Sequence, residues 1–169
     1  MQRHIMSLDL TAQTFSKQHD TQIKPLSFPV DLQTLGELFY ESYTGSIDSK
    51  NESLLDWKVE LYKTLEGEYG AVIQPGTVIY QGNDELAGCV IVSFYKAVPL
   101  IAYVVVAPKY RGQQLAKKMI RYAAEKLAEA GYKQVCLAVT VGNLAAEKTY
   151  QALGFNVIEG GWATILKEK

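Results

Sequence analysis

Hydrophobic residues recur along this chain at two different spacings, and the switches between the spacings mark its elements. Behind Asp31, Leu32, Leu35, Phe39 and Tyr43 fall three and four residues apart, which predicts a capped helix with one apolar face. Leu54, Trp57, Leu61 and Leu65 repeat the pattern until Gly67 and Gly70 end it. Short β-rich runs follow at 77–80, at 86–95 after a Gly82-Asn83-Asp84 turn, and at 100–107, where Pro108 closes the run. Helical spacing returns over 113–130, with Leu115, Met119, Ile120, Ala123 and Leu127 inward and Gly131 as the stop. A strand over 135–141, a helix over 144–153 and a strand over 155–158 come next. Gly160 and Gly161 then turn the chain into a last strand at 162–166. Residues 23–28 read as a short strand punctuated by Pro25 and Pro29. Residues 1–22 are polar, show no period and are expected to be loosely ordered.

This order predicts a mixed α/β (α+β) fold, with helices packed against a mixed sheet over 23–169 as a single domain. The 169 residues are enough to bury a core, and 48% hydrophobic against 21% charged residues fits an ordinary globular chain. A formal charge of −1 argues against a nucleic-acid partner, which would want a basic surface. The longest apolar run, 100–107, is too short to span a bilayer, and residues 1–20 lack a secretory pattern. The expectation is a cytoplasmic protein without a membrane partner. Cys89 and Cys136 lie inside strand-like runs and read as buried reduced thiols. The two histidines, His4 and His19, give a metal site or a Ser-His-Asp triad almost nothing to build on, so no metal is expected.

The informative chemistry begins after Pro108. Between the 100–107 strand and the helix that follows lie Lys109, Tyr110, Arg111 and Gly112. A short loop of this kind turns successive backbone N–H groups toward one place, with a helix N-terminus behind them, and that arrangement binds anions. Lys109, Arg111, Lys117, Lys118 and Arg121 are basic with no acid among them, although a helix N-terminus ordinarily disfavours cations by about 0.3–1 kcal/mol. Phosphates would neutralise such a cluster. A solvated basic face explains it equally well.

The run Val106-x-Pro108-x-Tyr110-Arg111-Gly112-x-x-Leu115-Ala116 resembles a signature of the GNAT superfamily of acyl-CoA-dependent N-acyltransferases. A second run, Val139-x-x-x-Asn143-x-x-Ala146-x-x-x-Tyr150-x-x-x-Gly154-Phe155, resembles the other diagnostic segment of that family and matches at every position. The resemblance covers about 23–167. It implies a central, largely antiparallel sheet of six or seven strands flanked by four helices, with the fourth and fifth strands splayed apart. It implies acetyl-CoA as cosubstrate, with pantetheine along Val104, Val105 and Val106 and the pyrophosphate on Arg111, Gly112, Gln113, Gln114, Leu115, Ala116 and Lys117. Asn143 would cap its helix or bond the pantetheine, and Tyr150 would donate to the departing thiolate. One position departs from the pattern: Gln114 stands where glycine is expected, and helical angles there would tolerate it.

The implied activity is acetyl transfer to a primary amine of a small molecule or protein, by a monomer or homodimer. The alternative is a module of the same fold that binds an acyl-CoA without transferring anything. An alkyl amine is about 4.6 kcal/mol short of its neutral form at pH 7, so a base is wanted. The 100–107 strand carries no acid. From Asp31 to Glu68 nine acidic residues face three lysines, a composition that attracts cations, and Glu41 beside Tyr40 and Tyr43 is the candidate for amine contact or base.

Overall fold

In this computed structural model, residues 2–15 and 20–167 are described. The strands are β1 (Arg3–Asp9), β2 (Ile23–Pro25), β3 (Val78–Gln81), β4 (Leu86–Tyr95), β5 (Val98–Val106), β6 (Gln134–Thr140) and β7 (Asn156–Val157). The helices are α1 (Leu32–Tyr43), α2 (Leu54–Leu65), α3 (Leu115–Glu129), α4 (Leu144–Ala152) and α5 (Trp162–Lys167). The strands form one sheet in the order β2-β3-β4-β5-β6-β1-β7. All pairings are antiparallel except β5 with β6, so the sheet is mixed and largely antiparallel.

Alternation along the strands divides the core. Cys89 and Ile91 of β4 turn to the face covered by α1 and α2, where they meet Leu35, Phe39, Trp57 and Leu61. Val90 and Val92 turn to the other face, where Met119, Ile120, Ala123 and Leu127 of α3 cover them. Side-chain caps start several helices as composition demands: Asp31 accepts from the amides of Gln33 and Thr34, and Ser53 forms a capping box with Asp56. Cys89 and Cys136 are both buried thiols, and burial pushes Cys89 up to about 12. No helix of the described residues is long and apolar enough to cross a membrane.

Three expectations need correction. Part of the segment before residue 23, read as loosely ordered, forms β1, an interior strand paired with β6 on one side and β7 on the other. Met6, Leu8 and Leu10 alternate into the α3 core, a period-two signal of three residues inside a polar stretch. His4 lies on this strand, its Nδ1 3.0 Å from the Glu147 carboxylate of α4, whereas His19 lies outside the described residues. The last strand, expected at 162–166, is instead helix α5. Trp162, Ile165 and Leu166 are spaced for a helix, and they pack on Val98 and Cys136. Finally, α3 begins at Leu115, so residues 113 and 114 precede the helix.

Met6 is fully buried between α3 and the sheet. Met6→Ala is therefore expected to cost about 2–4 kcal/mol in urea unfolding. A loosely ordered N-terminal segment would show no change.

Candidate active site

The β5–β6 pairing is short. Only Leu100 with Cys136 and Ile101 with Leu137 are in register, and beyond them the two strands separate. The departure coincides with a bulge: Ile91 of β4 pairs with Tyr103 and Val92 with Ile101, so Ala102 is the extra residue. A bulge bends its strand and increases the local twist, which carries Val104 to Val106 away from β6. Backbone groups facing across the gap have no ladder partner there. The gap opens into a cleft of about 420 Å³ lined by Ile101 to Val106 (without Tyr103) and by Leu137 to Thr140. Ser42, Tyr43, Ser46, Ile47 and Asp48 wall one side, and Asn143, Ala145, Ala146, Thr149 and Tyr150 wall another.

Arg111 and Ala116 lie at one end of the cleft. After β5, a turn of 3-10 helix at Pro108–Tyr110 leads through extended Arg111 and left-handed Gly112 (φ +84°) to α3. A Cβ at Gly112 would meet nothing, so the dihedral angle alone selects glycine there. No side chain caps α3, and no carbonyl of the described residues accepts from the amides of Gly112 to Lys117. Several N–H groups and the positive end of a 15-residue helix therefore stand together, a cradle suited to a diphosphate. Arg111 is tied to α1 by an Nη2–H donated to the Ser42 carbonyl at 2.8 Å. Lys109 pairs with Glu85, and Lys118 lies 3.9 Å from Asp20, so acids distant in sequence partly balance the basic run.

Gln114 does not have the expected helical angles. It is left-handed (φ +61°, ψ +28°), and its exposed side chain does not line the cleft. The position thus asks for glycine because of backbone conformation, and glutamine occupies it under strain with its amide pointing outward.

Asn143 caps α4, its Oδ1 accepting from Ala146 N–H at 3.3 Å, while also lining the cleft. Tyr150 sits about two turns further along α4 with its ring 6.1 Å from Phe155. Burial first, and the negative charge of Asp48 second, push its hydroxyl up to about 12. The group is a neutral donor throughout the physiological range. Tyr43, also in the wall, stacks on Trp57 at 4.7 Å and is raised mainly by burial. Tyr103 meets Phe39 edge-on at 5.2 Å and is pushed to about 12 by burial and then by neighbouring charges, Glu60 first among them.

Of the residues singled out in the sequence, Val104, Val105, Val106, Arg111, Ala116, Asn143 and Tyr150 line the cleft. Gly112, Gln113, Gln114, Leu115 and Lys117 belong to the cradle at its end without lining it. Glu41 does neither: it is exposed on α1, within electrostatic reach of Lys109. The acid that does line the cleft is Asp48, which accepts the Thr140 hydroxyl at 2.6 Å. Among nine acids between 31 and 68, nothing local distinguished it. Its position depends on a loop folding back onto β6.

The model of the acetyltransferase (GNAT) family matches residues 32–155, from the start of α1 to the end of the second signature. The chain belongs to that family. No curated protein matches it by sequence. Among solved structures it is similar to a GCN5-related N-acetyltransferase from Sphaerobacter thermophilus, with a TM-score of 0.69 and 15% identity over 92% of this chain and 48% of the other. This GNAT chain thus spans about half the length of that protein. It is also similar to the ribosomal-protein-S18-alanine N-acetyltransferase of Escherichia coli (TM-score 0.62, 20% identity, 79% and 76% covered). A third is AAC(6')-Iy in complex with the bisubstrate analogue CoA-S-monomethyl-acetylneamine (0.58, 17%, 79% and 89%). At these identities the likeness is one of fold.

Two predictions follow from the geometry. Gln114→Gly removes a left-handed non-glycine residue, so it should raise stability by up to about 1 kcal/mol, or about 2–4 °C in Tm. Gln114→Val should lower it. The half-buried Tyr103 and Tyr150 hold their protons past pH 10, where unfolded tyrosines release theirs. Stability should be fully present below about pH 10 and fall as pH rises toward 12, and Tyr103→Phe should flatten that fall in urea titrations.

Proposed function

We propose that this GNAT chain transfers an acetyl group from acetyl-CoA to a primary amine by direct attack in a ternary complex. The observation that carries the reading is one continuous path. It runs from the uncapped α3 N-terminus, through the gap beyond Ile101 and Leu137, to the hydroxyl of Tyr150. The amides of Gly112 to Lys117 and the Arg111 guanidinium would take the diphosphate. The unpaired edge of β5 along Val104, Val105 and Val106 would offer amide and carbonyl partners to the pantetheine, with Asn143 opposite. The thioester would then lie near Tyr150.

The chemistry balances with these groups. The amine nitrogen attacks the thioester carbonyl carbon, the C–N bond forms and the C–S bond breaks. The sulfur leaves as a thiolate that the neutral Tyr150 hydroxyl can hydrogen-bond. A donor aimed where charge develops lowers the barrier without itself ionising. Each ammonium consumed yields one amide, one thiol and one proton. The family and the bisubstrate complex of a structural neighbour support the donor. The neighbours that act on a ribosomal-protein alanine or bind an acetylneamine analogue support an amine acceptor.

Saturating acetyl-CoA, at about a hundred times its Kd, should add about 2.7 kcal/mol of stability and raise Tm by several degrees. Tyr150→Phe should keep that shift while slowing thiol release about a hundredfold or more. A flat thermal response at millimolar acetyl-CoA overturns the reading. A shift without thiol release across an amine panel would make the chain a binding module.

A further inference from the structure

The cleft is electrically polarised. Arg111 and the α3 N-terminus mark one end, and the acid in its wall, among the described residues, is Asp48 in the loop between α1 and α2. That carboxylate is fixed rather than free-swinging. Its Oδ1 accepts the hydroxyl of Thr140, which is itself buried at the end of β6, and Ser49 N–H closes a turn onto the Ser46 carbonyl. Thr140 occupies one of roughly four lone-pair sites on the carboxylate. No cation of the described residues lies within ion-pair distance of Asp48.

The residue before this carboxylate is apolar: Ile47 is 50% exposed and lines the cleft beside Asp48. We propose that Asp48 is the acceptor-binding residue, and that the acceptor is a primary ammonium carried on an apolar body packed against Ile47. Among the described residues a polycation would find only this carboxylate in the wall. The inference rests on the acetyl-transfer reading of the same cleft and specifies its acceptor. Two sources offer the same chemistry: a free aralkylamine, and the N-terminus of a peptide that begins with an apolar residue.

The test is calorimetric titration of the full chain, with and without saturating CoA, using four probes. These are phenethylamine, its isosteric alcohol 2-phenylethanol, spermidine, and a hexapeptide with an N-terminal leucine. Phenethylamine or the peptide should bind about tenfold or more tighter than the alcohol, as a charge-assisted hydrogen bond requires, and tighter than spermidine, which lacks the compact apolar body. Whichever of the two binds tighter identifies the source. Asp48→Asn keeps an oxygen for Thr140, so it should preserve the fold and the CoA-induced rise in Tm while removing the preference for amine over alcohol. Ile47→Ser should weaken amine and alcohol alike. Equal binding of amine and alcohol by the wild type, preference for spermidine, or an undiminished preference in Asp48→Asn overturns the proposal. A missing CoA response with the amine preference intact would instead count against the acetyl-transfer reading alone.

Discussion

The organisation of this protein depends on a broken strand pairing. β5 and β6 share two registered residue pairs and then part, with the extra residue Ala102 at the point of departure. A parallel pair continued to the ends of both strands would bury its backbone in the ladder and leave no room between Val105 and Ala138. Separation instead leaves a strip of unsatisfied amides and carbonyls inside a wall of valines, an environment that favours an extended polar chain with an apolar surround. The flanking elements keep the gap open. α1 reaches the β5 side through Ser42, whose hydroxyl is 3.2 Å from the Val106 carbonyl, while β1 braces the far edge of β6 over its full length.

The cradle extends the same economy of means. Three helices of this chain, α1, α2 and α4, satisfy their first amides with a side-chain oxygen, and α3 does not. A left-handed residue immediately before a helix turns the incoming chain aside and keeps those amides clear. At Gln114 this conformation is held by a residue that adopts it at a cost of about 1–2 kcal/mol. The strain belongs to the loop's shape, since the side chain itself touches neither cleft nor cap.

The sequence carried much of this wherever a signal was local. Leu115, Met119, Ile120, Ala123 and Leu127 announce α3 by spacing alone. Asn143 and Tyr150 stand in a segment dense enough to indicate both their placement and a family. What was not legible depended on contacts between distant residues. The alternation of Met6, Leu8 and Leu10 is too short to outweigh a polar neighbourhood until β6 and β7 are seen on either side. Trp162 to Leu166 fits a strand or a helix, and the packing that the helix makes on Val98 and Cys136, far away in sequence, is not visible locally. Asp48 is one acid among many in composition, and the Thr140 hydroxyl, 92 residues away, singles it out. Glu41 had aromatic neighbours in sequence but stands on the outward side of its helix.

The position of β1 bears on how the chain assembles. Among the described residues β1 has both its neighbours far along the chain: Met6 is opposite Leu137 and Val157. Its hydrophobic edge must wait, unpaired, while more than a hundred residues are made, and the closing of that long loop falls late in folding. In the interval the strand's own charged end residues, Arg3 and Asp9, are what it carries against mispairing with another edge.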